Sequence, residues 1–209
     1  MEDGDGHLCH PEGQWTVLHG EGVATTPDSG PVLPQAILGA PDLPAERSAS
    51  TRALHFAGTG FDTDDAAHTA LLRAAFSKSD SLVGYRQLTF WAKGTVPIKV
   101  RVNVATTATA DVASGGTCLP GDAGPCGDSY GSVQDISTQW AQAVVELSGL
   151  RQEGIGQPVT DPSGAVVVNP DLAAALSVDF KYAFAFIDAE KFNNRDSFDL
   201  WIDDVQFVR

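Results

Sequence analysis

From Ile98 to Val104 the chain alternates without a break. Ile98, Val100, Val102 and Val104 fall on one side, and Lys99, Arg101 and Asn103 on the other. Successive side chains of a strand point to opposite faces, so the three polar residues are expected to stand in a row on one face of a sheet. Arg73 falls opposite Ala70, Leu72, Ala74 and Phe76 in another strand-like run. Guanidinium forks, an ammonium and an amide so arranged offer donors to sugar hydroxyls or to a uronate carboxylate. The same pattern also describes an ordinary solvated sheet face, and the sequence leaves both readings open.

Catalytic chemistry has less to draw on. A glycoside hydrolase needs two carboxylates across a groove, yet Glu146 is the main acid in the strands that could line one. A lyase needs a Tyr or His base and a cation to neutralise the substrate carboxylate. Arg73, Arg101, His68 and Tyr182 could be assembled that way, but their spacing does not demand it. There is no phosphate loop and no His-Glu-x-x-His. The residues favour binding over catalysis.

Flat rings that cover the C–H face of a sugar are the usual companions of such polar rows. Trp15, in a Gly-rich segment near the start, and Tyr130, after the cysteine loop, are the expected exposed rings. Trp91 and Trp201 lie inside strongly apolar runs and are expected in the core, with Trp140 in the core or at its rim.

Cys118 and Cys126 flank Leu119-Pro120-Gly121-Asp122-Ala123-Gly124-Pro125. Pro and Gly can turn such a loop back on itself until the two thiols meet. A disulfide there implies an oxidising compartment. Zinc would need a second ligand pair, which is missing. Cys9 is left over and is read as a free thiol, despite His7 and His10 beside it.

The elements that must position these residues are almost all strands. Ala53–Phe56, Ala70–Phe76, Tyr85–Lys93, Ile98–Val104, Trp140–Leu147, Tyr182–Ile187 and Phe198–Val208 are β-like runs separated by Gly, Pro, Asp and Ser clusters. The helix signal is confined to Asp171–Leu176, after Pro170. Gly20–Ser50, Thr106–Tyr130 and Gln152–Pro170 read as long loops. Many short strands with minimal helix predict an all-β, antiparallel sandwich. No repeat or linker divides residues 1–209, which read as one domain. The chain carries a net charge of −14, which repels phosphate backbones and argues against nucleic acid as a partner. No apolar run approaches the ~18 residues of a membrane span.

The ordered set Phe90-Trp91-Ala92-Lys93-Gly94, Gly58-Thr59-Gly60-Phe61, Gly115-Gly116-Thr117-Cys118 and Phe198-Asp199-Leu200-Trp201-Ile202-Asp203-Asp204-Val205-Gln206-Phe207 resembles galactose-binding-like jelly-roll modules of bacterial carbohydrate-active proteins. Met1-Glu2-Asp3-Gly4 with Gly13-Gln14-Trp15 resembles their opening strand and loop. The resemblance implies a jelly-roll fold, a polysaccharide or surface glycan as ligand, and first and last strands that lie close together. It also implies a structural Ca²⁺ between those strands, with Glu2 or Asp5 and Asp203 as carboxylate ligands, in keeping with the oxygen donors this ion takes. Met1 is followed by acidic residues and glycines, the reverse of a basic, then apolar, leader. A secreted or extracytoplasmic protein is therefore expected to have lost its leader, and an outer-surface lipoprotein is one form this would take. Three readings of function follow: a non-catalytic carbohydrate-binding module, a jelly-roll polysaccharide lyase or glycoside hydrolase, and an adhesive or structural surface protein without a sugar ligand.

Overall fold

The computed structural model describes residues 7–8, 13–20, 23–28, 30–31, 37–40, 42–44, 51–60, 70–121, 124–175, 180–188 and 197–209. Its strands are β1 (His7–Leu8), β2 (Gly13–His19), β3 (Ala24–Thr26), β4 (Gly30–Pro31), β5 (Ile37–Gly39), β6 (Arg52–Thr59), β7 (Ala70–Asp80), β8 (Gln87–Gly94), β9 (Ile98–Thr106), β10 (Tyr130–Ile136), β11 (Ala141–Glu146), β12 (Phe180–Asp188) and β13 (Ser197–Val208). The first sheet runs β1-β2-β7-β12-β9-β10, with β4 also on β2. The second runs β11-β8-β13-β6-β3, with β5 also on β6. Every strand pairing is antiparallel. The sequence runs thus correspond to strands, although β1 to β5 and β10 were not among them, and β3, β4 and β5 lie in the stretch Gly20–Ser50 that reads as a loop.

Strand alternation builds the core. Trp15, Val17, Leu72, Val100, Val102 and Val104 point inward from the first sheet, and Leu54, Phe56, Leu88, Phe90, Leu200 and Ile202 from the second. They join in one cluster between the sheets. Each such side chain contributes about 1.5–3 kcal/mol on burial. The sandwich is therefore a rigid support with two outer faces.

Helix α1 (Pro170–Ala175) is the one α-helix among the described residues. Proline at its first position loses no bond it needed. Asn169 Oδ1 accepts from the Leu172 N–H at 2.9 Å and caps the turn.

The opening strand expected at Met1-Glu2-Asp3-Gly4 lies outside the described residues; of those described, β1 pairs with β2 at the edge of the first sheet, and β13 lies between β8 and β6 in the second. Asp203 and Phe207, four residues apart, would share a face in a regular strand but do not. The β13–β8 register shifts between Asp203 and Gln206, and Asp204 adopts φ 48°. A bulge of this kind adds a residue to one strand and switches the parity beyond it. Asp203 lies opposite Trp91, while Phe207 lies opposite Leu88 and packs on the core.

Candidate functional site

The outer face of the first sheet gathers the polar row read from the sequence. Thr16, Arg73, Ala185, Asn103 and Gly131 occupy successive register positions across β2, β7, β12, β9 and β10. Arg73 Nε donates to Thr16 Oγ1 at 3.2 Å, which fixes the guanidinium along the sheet. Lys99 pairs with Asp135, its register partner on β10.

Asn103 is 6% exposed although it stands on the outer face. Its Oδ1 is buried and meets no hydrogen-bond donor. A buried acceptor left unmade costs about 1–3 kcal/mol. Gly131 makes the room for this side chain: a Cβ there would lie 1.9 Å from Asn103 Oδ1 and 2.8 Å from Arg101 Cζ. The absence of a side chain at position 131 is thus a condition of the polar row.

Arg101 has a different setting from the one its place in the row implied. Its Nη2 donates to the Arg151 carbonyl at 3.1 Å and to the Ser129 carbonyl at 3.4 Å, and Nε lies 3.4 Å from Glu153 Oε1. Burial pulls the guanidinium below its ordinary range, while Glu153 and Asp128 push it back up. The side chain ties β9 to the loops beyond it.

Those loops are themselves fixed. Cys118 and Cys126 form the expected disulfide, with Cα atoms 5.9 Å apart. The buried Asp128 carboxylate accepts the N–H groups of Glu153, Gly154 and Gly156 at 2.8, 2.9 and 3.3 Å. Gln157 Nε2 donates to the Gly124 carbonyl at 2.7 Å, and Gly131 exchanges both backbone bonds with Arg151. Residues 107–121, 124–129 and 150–168 make one hydrogen-bonded wall at the β10 edge.

The expected aromatic platforms are elsewhere. Trp15 is 0% exposed, because Trp15 and Val17 share the inward parity of β2. Tyr130 is also fully buried, and its hydroxyl donates to the Val167 carbonyl at 3.0 Å. Burial, and then Asp128, push its phenol well above the ordinary range. Neither ring is presented to a ligand. Trp91 and Trp201, expected in the core, are instead half-buried on the outer face of the second sheet, with Phe90, Ala92, Leu200 and Ile202 taking the inward positions. Trp201 stacks on His55 with centroids 4.4 Å apart and planes at 22°. His55 Nε2 lies 3.0 Å from Asp199 Oδ1. Trp140 is half-buried ahead of β11.

Glu2 and Asp5, the expected calcium ligands at the start, lie outside the described residues, as do His68 and Cys9. Asp203 is buried. Among the described residues no three of His, Cys, Asp and Glu come together as a metal site.

No protein-family model matches the sequence. No curated protein matches it either. Solved structures do. A family 11 carbohydrate-binding module from Clostridium thermocellum, in complex with a β-1,3-1,4-mixed-linked tetrasaccharide, aligns at TM-score 0.56 and 14% identity, over 93% of this chain and 88% of the module. The family 11 module of the cellulosomal cellulase Lic26A-Cel5E of Clostridium thermocellum aligns at TM-score 0.54 and 14% identity, over 93% and 86%. The fold is the jelly roll of these modules. The jelly-roll expectation thus holds, and the polar row lies on one outer face of such a sandwich.

Proposed function

We propose that this chain is a non-catalytic carbohydrate-binding module that takes an extracellular glycan along the outer face of the first sheet. The observation that carries this is the buried, unmatched Asn103 Oδ1 in one cross-strand row with Arg73. An acceptor of this kind is completed by a hydroxyl donor, and Arg73, two strands away in the same row, supplies donors to sugar oxygens or a uronate. The tetrasaccharide bound by the family 11 module supports the choice of ligand class. Arg101 and Lys99 serve this face from its flank, Arg101 by holding the loop wall.

The experiment is a glycan array with wild type, Asn103→Ala and Arg73→Ala. Wild type is expected to retain glycans that both variants lose or hold at least tenfold more weakly. Release of unsaturated uronates or of reducing ends would replace this reading with a lyase or a hydrolase. Self-association without any glycan retention would replace it with a surface structural protein.

Two finer parts belong to the same proposal. The Cys118–Cys126 disulfide supports an oxidising, extracytoplasmic setting, and no helix among the described residues is long and apolar enough to cross a membrane. A Ca²⁺ held by Asp203 with Glu2 or Asp5 would stabilise the fold by mass action, about 2.7 kcal/mol at a hundredfold excess over Kd. Melting with and without EDTA tests it: a drop of several degrees supports the ion, and an unchanged melt removes it.

A further inference from the structure

The outer face of the second sheet has features of its own. A cleft of about 460 Å³ opens where β3, β6 and β13 meet, lined by Thr25, Thr26, Thr59, Thr95, Ser197 and Asp199 among others. Thr26, Thr59, Ser197 and Asp199 take the parity opposite to that of the inward Phe56 and Phe198, so three hydroxyls and a carboxylate offer donors and acceptors on this face. The volume lies within the range of small-molecule sites, roughly 300–1,000 Å³.

The cleft continues into an aromatic strip. Asp199 lines the cleft and bonds His55, and His55 stacks on Trp201. Trp201 lies opposite Lys93, and Trp91 opposite Asp203, so Trp91 is the diagonal neighbour of Trp201 across β8 and β13. The stacked imidazole and the bond to Asp199 fix the indole in place before any ligand arrives. A preordered ring loses little entropy on covering the C–H face of a pyranose. The carboxylate beside it has two acceptor oxygens, enough for two neighbouring sugar hydroxyls. The charge sets the class. Asp199 and Asp203 lie on this face, and Lys93 is engaged at 3.8 Å by Asp42, so an anionic sugar is repelled whereas a neutral one is not.

We propose that the Thr-lined cleft, the His55–Asp199 pair and the Trp201 ring form a second binding site, for a neutral glycan, on the face opposite the polar row. The site stands independently of the first. Its test is a ¹⁵N NMR titration of the intact chain with neutral tetrasaccharides: mixed-linked glucotetraose, xylotetraose and mannotetraose. At least one is expected to shift the indole N–H of Trp201 and the amides of Thr26, Thr59 and Asp199. Asp199→Asn, which keeps size and shape, is expected to weaken that binding about tenfold or more, with an unchanged melt as the folding control. Asn103→Ala is expected to leave these shifts intact. If millimolar concentrations of all three sugars leave these signals unmoved, or if Asp199→Asn binds as wild type does, the proposal is overturned. Shifts confined to Arg73, Asn103 and Gly131 would uphold the first face and remove the second. Shifts confined to Trp201 and the cleft would do the reverse.

Discussion

The two outer faces of this sandwich rest on one core and differ in almost every chemical respect. The first presents Arg73, Lys99, Arg101 and Asn103 and depends on a wall of loops closed by a disulfide. The second presents Trp91, Trp201, His55 and Asp199 on β6, β8 and β13 themselves. A site on strands inherits the rigidity of the sheet, whereas a site that leans on loops needs those loops fixed separately. The Cys118–Cys126 bond and the Asp128 carboxylate meet that need.

Breaking the loop wall is the most forceful way to part the faces. In Cys118→Ser with Cys126→Ser the small closed loop regains its freedom, a loss of about 2–3 kcal/mol on the chain-entropy estimate. Thermal melts should register it. Glycan binding at the first face should weaken with it, through Ser129 and Arg101, while the Trp201 signals in a sugar titration stay where they are. Equal losses on both faces would show that the loops support the whole sandwich and not one side.

A smaller and more local change sharpens the same contrast. Gly131→Ala places a Cβ where Asn103 Oδ1 and the Arg101 guanidinium now lie. Overpacking of this kind costs about 1–3 kcal/mol. Binding at the first face should fall further than stability does, because the displaced groups are those of the polar row. Calorimetry with a retained glycan, set beside a melt, checks this; unchanged affinity would mean that Asn103 does not touch the sugar.

The contrast between the faces was partly legible in the sequence. The polar row followed from strict alternation in Ile98–Val104, and the disulfide from a Pro/Gly loop between two cysteines. The tryptophans were misplaced because Phe90-Trp91-Ala92 and Leu200-Trp201-Ile202 are apolar at both parities, so hydrophobicity does not say which side is inward. The charges do say it. Lys93 shares the parity of Trp91, and Asp199 shares that of Trp201, and charged residues are rarely buried. Trp15 carried a similar signal, since Gln14 and Thr16 take the opposite parity to Trp15 and Val17. Strand β10 escaped notice because Gly131, Ser132, Gln134 and Asp135 dilute its pattern. The need for a glycine there comes from Asn103, which the register brings across from β9, and a pairing so distant leaves no local mark.

The smallest expected effect concerns pH at the end of β2. His19 Nδ1 lies 3.0 Å from the Gly20 carbonyl, and Nε2 lies 3.1 Å from Asp28 Oδ1. The Gly20 carbonyl first, and then Asp28, raise the imidazole above its ordinary value of 6.5. A group whose pKa is raised by folding contributes stability that is full below the unfolded value and disappears as pH climbs through the folded one. The melting temperature should therefore be slightly higher at pH 6 than at pH 8. Asp28 is well exposed and solvent screens the pair, so the difference should be within roughly 1–2 °C. His19→Gln should remove that increment and leave glycan titrations on both faces unchanged, because the pair joins β2 to the segment before β4 and belongs to neither binding surface. A larger pH effect that survives His19→Gln would place the titrating group elsewhere, and the comparison of the two faces would then have to be repeated at each pH.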